Sequence, residues 1–296
     1  MISFLQWVTR RLRRWAAVCR SEWRVVATIG PIAAVDLAVV RWNTYQHGRL
    51  EGAWRIRLPC WMSPVKGRYG TSDLDVFMQI FVREEHAWVR ALTPKANDML
   101  ILDCGANVGY ASIFFLRLFP RAMVIAIEPD AENFAVLRVN LENYETRVKL
   151  LQAGVWSHKT PLDFGLQPFR DGKHWSRQVR EAVGDSGGEV LSVTIPELLN
   201  ASGYDRIALL KVDIEGAEAI LFTGNCHEWL ARTDTIAVEL HDDTHYGHAS
   251  DIFHRAIRGH GYQLGRRGEL TIAVRQSSCS SQQFLHWCTQ PALIAD

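Results

Sequence analysis

Met99-Leu100-Ile101-Leu102-Asp103-Cys104-Gly105-Ala106-Asn107-Val108-Gly109 decides how this chain is read. Met99 to Leu102 is a short apolar run, the kind buried on both faces of a parallel sheet. The run breaks at Asp103-Cys104-Gly105, and Tyr110 to Phe119 then reads as a helix. Small residues at the turn let a ligand approach the backbone. The helix that follows aims its free N–H groups and its positive dipole end at that ligand. Strand, tight glycine turn and helix form the nucleotide-binding corner of a doubly wound sheet.

The turn itself narrows the ligand. A dinucleotide fingerprint reads G-x-G-x-x-G, whereas this turn reads Asp103-x-Gly105-x-x-x-Gly109. An acid at the strand end repels a pyrophosphate and suits a cationic amino-acid group, such as that of S-adenosylmethionine (SAM). Met123 to Ile127 is a second apolar strand, and it ends in Glu128-Pro129-Asp130. An acid there can accept both ribose hydroxyls. Taken singly, these features are solvated strand-end carboxylates or structural glycines. Their order and spacing together carry the ligand reading.

The 296 residues are enough for one large core with an appendage. Net charge is +1, which weighs against a nucleic-acid binder. Residues 1–60 hold ten Lys/Arg against three Asp/Glu, and the remainder holds 23 against 29. The basic part is therefore separate from the core. Cysteines 19, 60, 104, 226, 279 and 288 form no CxxC pair, which favours free thiols in a reducing compartment. Val25 to Val40 comes nearest to a membrane span, but Pro31 and Asp36 interrupt it. These features place the protein in the cytoplasm.

Residues 1 to about 24 read as a basic amphipathic helix. Phe4, Leu5, Val8, Leu12, Trp15 and Cys19 share one face, with five arginines on the rest. The preferred reading packs it on the domain or a partner; the second lays it on an anionic membrane surface. Gly48 to Met62 reads as short strands. Thr71, Ser72 or Asp73 caps a helix running from Leu74 to Ala91, with Glu84-Glu85-His86 on its wet face. Beyond Glu128 come a helix over Ala131–Asn143 and a third strand over Val148–Val155. Leu162 to Gly188 is irregular, with Lys173-His174-Trp175 inside it, and its length suggests a substrate lid. A helical connection begins at Ser192. The fourth strand, Ile207–Val212, ends in Asp213-Ile214-Glu215-Gly216-Ala217-Glu218, with a helix on to Leu230. The fifth, Thr235–Leu240, leads to His241-Asp242. A helix at Asp251–Gly259 and a hairpin, Tyr262–Leu264 with Leu270–Val274, close the fold. The expected architecture is α/β: a doubly wound, mostly parallel seven-stranded sheet with an N-terminal helical extension. Its units are the extension 1–65, the domain 66–275 and a polar tail 276–296.

Three blocks together, Asp103 to Gly109, Ile127-Glu128-Pro129 and Leu210-Lys211-Val212-Asp213-Ile214-Glu215-Gly216-Ala217-Glu218, resemble the FkbM-type methyltransferases. The Lys-x-Asp-x-Glu-Gly-x-Glu block is the most specific of them. The resemblance covers roughly residues 66 to 275, and Gly70-Thr71-Ser72-Asp73 is similar too. It implies a Rossmann-like class I fold, SAM as cofactor, and methyl transfer, mostly to oxygen, on natural products, sugars or other hydroxylated compounds. Asn107 stands where broader SAM enzymes carry a glycine, as is usual in the family. Cys104 departs from the branched apolar residue common there. The cofactor set is thus Asp103, Gly105, Asn107, Gly109, Glu128 and Asp213.

An alcohol is a poor nucleophile while protonated, so a base is expected near the acceptor. Asp213 and Glu239 end the fourth and fifth strands, facing the crevice where such sheets bind ligands, with His241 just beyond. Asp213 is read as a positioning acid, and His241 or Glu239 as the base. Glu215 and Glu218 open a helix, where acids are favourable in any protein. His241, His245 and His248, with Asp242 and Asp243, match no zinc spacing. A magnesium site could draw on Asp213 and Glu239, but no metal is expected to be required. The partner expected is a small-molecule or glycan hydroxyl substrate. Three alternatives stay open: a nicotinamide oxidoreductase, which the missing G-x-G-x-x-G opposes; a non-catalytic SAM-binding adaptor; and methyl transfer to nitrogen or carboxylate.

Overall fold

In a computed structural model of the chain, the apolar run is a strand, Met99–Cys104, with every residue buried. The structure describes residues 22–47, 51–59, 63–92, 99–165, 178–182, 188–244 and 246–276. The strands, in chain order, are β1 (Ala53–Ile56), β2 (Val65–Arg68), β3 (Met99–Cys104), β4 (Ala122–Ile127), β5 (Val148–Leu151), β6 (Gly154–Val155), β7 (Leu162–Phe164), β8 (Val179–Glu181), β9 (Ser192–Val193), β10 (Leu209–Val212), β11 (Thr235–Glu239), β12 (Tyr262–Arg267) and β13 (Leu270–Arg275).

Seven of them form one sheet in the order β12-β13-β11-β10-β3-β4-β5. β11, β10, β3, β4 and β5 run parallel, and β13 pairs antiparallel with both β11 and β12. The chain moves outward from β3 through β4 to β5, then returns to build β10 and β11 on the other side. The order reverses between β3 and β10, and in such sheets the ligand crevice opens at the carboxyl ends of those two strands. This is the doubly wound, Rossmann-like arrangement expected from the sequence.

Alternation along the strands divides the core between two faces. Ile101, Val124, Leu209 and Ile272 pack under the helices Tyr110–Leu118 and Ala131–Leu141. Leu102, Ile125, Leu210 and Val238 pack under Ile195–Ser202, Glu218–Thr223 and Ala249–Ala256. Thr194 caps Ile195–Ser202 through a capping box with Glu197, which ends the preceding excursion at a defined residue.

The N-terminal helix, Pro31–His47, lies on the first face, where Ala33, Leu37 and Val40 join the core together with Val25 and Ile29 just before it. Its other face is exposed: Ile32, Val35, Val39, Trp42 and Tyr45 are all more than half accessible. The basic helix expected over residues 1 to about 24 lies outside the described residues up to 21, and 22–29 is helical. Among the described residues no helix is long and apolar enough to cross a membrane.

Four expected elements come out differently. The helix over Leu74–Ala91 is three short pieces: α-helical Asp73–Phe77, a π turn at Met78–Val82 and 3-10 Glu85–Ala91. Glu84, at φ 50°, stands between the last two and turns the chain. The strand over Val148–Val155 stops at Leu151; β6 leaves the sheet to pair with β9. The excursion Leu162–Gly188 is not wholly irregular, since β7 and β8 form an antiparallel pair. Its tip, including Lys173-His174-Trp175, lies outside the described residues. Finally, the helix expected as far as Leu230 breaks at Gly224 and resumes at His227.

Candidate active site

The turn after β3 is built by close backbone approach. Gly105 has φ 76°, and a Cβ there would collide with the carbonyl oxygen of Asp213 at the end of β10. Glycine is therefore required twice over, by conformation and by space. Gly105 and Ala106 both donate their N–H to Ile127 O, at 3.0 and 2.9 Å. Asn107 takes φ 50° and donates its N–H to Glu128 Oε2 at 2.8 Å. Glu128 Oε1 accepts from Asp130 N at 3.0 Å and Asn133 Nδ2 at 3.4 Å. Burial pushes the Glu128 carboxyl up to about 7, against the pull of these donors. Asp130 caps the next helix through Glu132 N and Asn133 N.

Behind the turn lies a buried charge relay. Lys211 Nζ donates to Gly105 O at 2.7 Å and stands 3.3 Å from Asp103 Oδ1 and 3.5 Å from Asp213 Oδ2. Ser112 Oγ donates to Asp103 Oδ2 at 2.6 Å. Burial alone would lower the lysine, but Asp103 and then Asp213 overcome it and hold it above its ordinary value. Lys211 is thus a fixed cation that locks the β3 turn to the end of β10. A second lock uses the Gly70–Asp73 segment. Arg68 grips Asp73 with Nε and Nη2, at 3.0 and 2.9 Å, and reaches Asn133 Oδ1 at 2.7 Å, tying the β1–β2 hairpin to the helix after β4.

A cavity of about 360 Å3 opens at the carboxyl ends of β3, β4, β10 and β11, within the usual range for a small-molecule site. Glu128, Asp130, Gly105 and Asn107 line one part of it. Asp213, Glu215, Glu239, Glu269 and Glu85 line another, with Lys211 between. His241 backs that acidic wall, 1% exposed. Its Nδ1 is 3.1 Å from Glu218 Oε1, and its Nε2 is 3.2 Å from Glu239 Oε1 and 3.8 Å from Glu215 Oε2. Burial would lower the imidazole, yet the Glu218 hydrogen bond and the surrounding carboxylates raise it to about 11. Glu215 is raised as well, which for a carboxyl favours the neutral form. Burial first, then Asp213, pushes it up to about 8, with His241 pulling it back only in part. Glu215 also takes φ 51°, rare for a residue with a side chain. Among the described residues, the three non-glycine residues at positive φ are Glu84, Asn107 and Glu215. Two of them line the cavity and the third adjoins Glu85, and strained backbone of this kind clusters at functional sites.

The structure brings together Gly105, Asn107, Glu128, Asp213 and Glu239 around one cavity. Asp103 and Gly109 stand elsewhere: Asp103 is fully buried against Ser112 and Lys211, and Gly109 packs toward Leu137 and Leu141. The reading of His241 as a base is corrected, because an imidazole flanked by three carboxylates keeps its proton at neutral pH. Glu215 and Glu218 are not alike either. Glu215 faces the cavity ahead of the helix, whereas Glu218 is fully buried and accepts from Ile214 N at 3.0 Å. Asp242 takes the N–H and hydroxyl of Ser250 and starts the helix Ala249–Ala256. Glu85 and His86 are a further correction. They line the cavity rather than a wet face, and burial drives Glu85 up to about 7 and His86 down to about 3.

Residues 103–264 match the family model of the methyltransferase FkbM domain. This chain belongs to the FkbM methyltransferase family. It is a SAM-dependent methyltransferase with the Rossmann-like fold of its class. Similarity to curated FkbM-family proteins and their relatives is modest. The chain is 26% identical over 233 residues to the AMB antimetabolite synthetase AmbE of Pseudomonas aeruginosa, covering 67% of this chain but only 11% of that protein. It is 28% identical to methyltransferase sdnD of Sordaria araneosa, over 55% of this chain and 73% of that one. It is 26% identical to the 2-O-methyltransferase NoeI of Sinorhizobium fredii, over 61% of this chain and 84% of that one. The cavity of this FkbM-family enzyme fits the cofactor. Glu128 and Asp130 are buried after β4 and suit hydroxyls, and Asp213 and Glu239, half-buried at the ends of β10 and β11, suit a cation.

Proposed function

We propose that this methyltransferase acts on a hydroxyl oxygen of a small molecule or glycan. One observation carries the reading: Glu215, a cavity-facing carboxyl whose burial sets it near 8, beside an imidazolium. A general base is most effective when its pKa lies near the working pH. Glu128 and Asp130 would hold the ribose of the cofactor, and Asp213, with the β3 turn at Gly105 and Asn107, its amino-acid end. Bound there, the cofactor supplies an electrophilic methyl on a sulfonium. Glu215 takes the acceptor proton. Glu239 and Asp213 orient the hydroxyl, and orientation alone is worth several kcal/mol of barrier. His241 holds Glu239 and Glu215 in place by charge. Lys211 fixes the turn and Asp213, and Asp103 fixes Lys211. NoeI, a 2-O-methyltransferase by name, agrees with this direction.

The same acidic wall favours a second reading, methyl transfer to an amine, because five carboxylates attract an ammonium group. Labelled SAM with matched alcohol and amine acceptors, followed by mass spectrometry of the products, separates the two. Methyl ethers alone support the oxygen reading, and N-methyl products alone overturn it.

We also infer a contact between the N-terminal extension and an anionic lipid surface. Trp23, Ile32, Val35, Val39, Trp42 and Tyr45 are exposed, and ten Lys/Arg within residues 1–60 supply the complementary charge.

A further inference from the structure

The carboxyl ends of β10 and β11 are level: Val212 pairs with Val238. Asp213 and Glu239 therefore leave the sheet side by side, and His241 returns two residues later. One carboxylate oxygen of Asp213, one of Glu239 and one ring nitrogen of His241 lie within 4.8 Å of one another. Donors about 2.1 Å from a shared ion stand at most roughly twice that distance apart, so a small inward adjustment closes such a set.

A cluster of acids does not by itself make a site. The second observation is His241. It is 1% exposed, and its Nε2 makes no hydrogen bond, although Glu239 Oε1 is 3.2 Å away. The other ring nitrogen is already engaged by Glu218 Oε1 at 3.1 Å, and that same oxygen accepts the N–H of Ile214 at 3.0 Å. A buried carboxylate that holds one histidine nitrogen and leaves the other to face two carboxylates is the arrangement that orients a metal-ligating imidazole. The charge count agrees. Asp213, Glu218 and Glu239 outnumber Lys211 and His241, the cations that face them.

We propose that Asp213, Glu239 and His241 form a site for one divalent cation of the Mg2+/Mn2+ class at the acceptor end of the cavity, the ion displacing the proton that His241 otherwise holds at Nε2. Two carboxylates select hard ions, and the single imidazole favours Mn2+ over Mg2+. A cation beside the acceptor eases loss of a hydroxyl proton. The inference deepens the hydroxyl-acceptor reading and rests on it for purpose, while the site itself rests on the geometry above.

The test uses the full chain, stripped with EDTA and titrated with Mn2+, with free Mn2+ read by electron paramagnetic resonance. S-adenosylhomocysteine is titrated separately by calorimetry. One Mn2+ per chain is expected. Glu239→Gln and Asp213→Asn should each weaken it at least tenfold, and Glu85→Gln, on the same acidic wall, less than twofold. Circular dichroism shows that each variant is folded, and S-adenosylhomocysteine binding shows it again for Glu239→Gln and Glu85→Gln. No Mn2+ uptake up to millimolar ion by a protein that binds S-adenosylhomocysteine overturns the cation site and leaves the methyltransferase reading standing. Uptake that survives both substitutions overturns it equally. Mn2+ uptake without S-adenosylhomocysteine binding upholds the cation site and counts against the cofactor assignment of this cavity.

Discussion

At the residue scale, the chemistry turns on which groups carry protons. Glu215 sits near 8 because burial and Asp213 oppose its charge. It becomes a base only above that value, so kcat/KM should rise with pH and level off above about 8. Glu215→Gln should lower kcat by about 100-fold or more, with S-adenosylhomocysteine affinity within threefold of wild type. A variant with wild-type kcat and the same pH profile would remove Glu215 from the mechanism. Lys211 makes a different prediction. It is 5% exposed, and Asp103 behind it is fully buried. Lys211→Met strands that carboxylate and should cost about 3–5 kcal/mol of stability in urea unfolding. A loss below about 1 kcal/mol would mean that Asp103 finds another partner or takes up a proton.

At the element scale, breaks in helices place the site. The π turn Met78–Val82 and the left-handed Glu84 rotate Glu85 and His86 inward, and π turns recur at functional sites. Their charge alone put them on a wet helix face, and the break that turns them inward is what overturns that reading. The N-terminal helix shows the opposite case. The buried Ala33, Leu37 and Val40 and the exposed Ile32, Val35, Val39 and Trp42 are both apolar, so spacing does not say which side packs. The full chain should co-sediment with phosphatidylserine-containing vesicles and not with neutral ones. Val35→Asp with Trp42→Asp should reduce that binding about tenfold or more while leaving S-adenosylhomocysteine affinity unchanged. Equal binding to neutral vesicles, or no effect of the pair, would refute the lipid contact.

At the scale of the whole molecule, the buried acids set how stability depends on pH. Glu85 and Glu128 titrate near 7 and Glu215 near 8 in the folded chain, against 4.5 as their ordinary value. The folded state binds more protons than the unfolded state between those limits, so stability falls as pH rises from about 4.5 to 8. His241, raised from 6.5 to about 11, has the same sign at higher pH: its contribution is full below 6.5 and lost as pH climbs through about 11. Thermal unfolding should therefore show a midpoint that declines steadily from pH 5 to pH 9. In Glu85→Gln the decline below pH 7 should be shallower. A midpoint that rises over this range would contradict the burial of these groups.

The sheet, the switch point and the cofactor corner were legible along the chain. Apolar runs, glycine turns and strand-end acids are local signals, and Met99–Gly109, Ile127–Glu128 and Lys211–Asp213 each carry theirs within a few residues. The family followed from the same blocks. Only the tertiary structure decided the roles. Asp103 turned from the cavity to Lys211, His241 became an imidazolium between three acids, and Glu215 became the poised carboxyl. A side chain's proton affinity depends on burial and on charges brought close from distant parts of the chain. Residues 85, 103, 211, 218 and 241 meet only once the sheet has closed, and no spacing along the chain encodes that meeting.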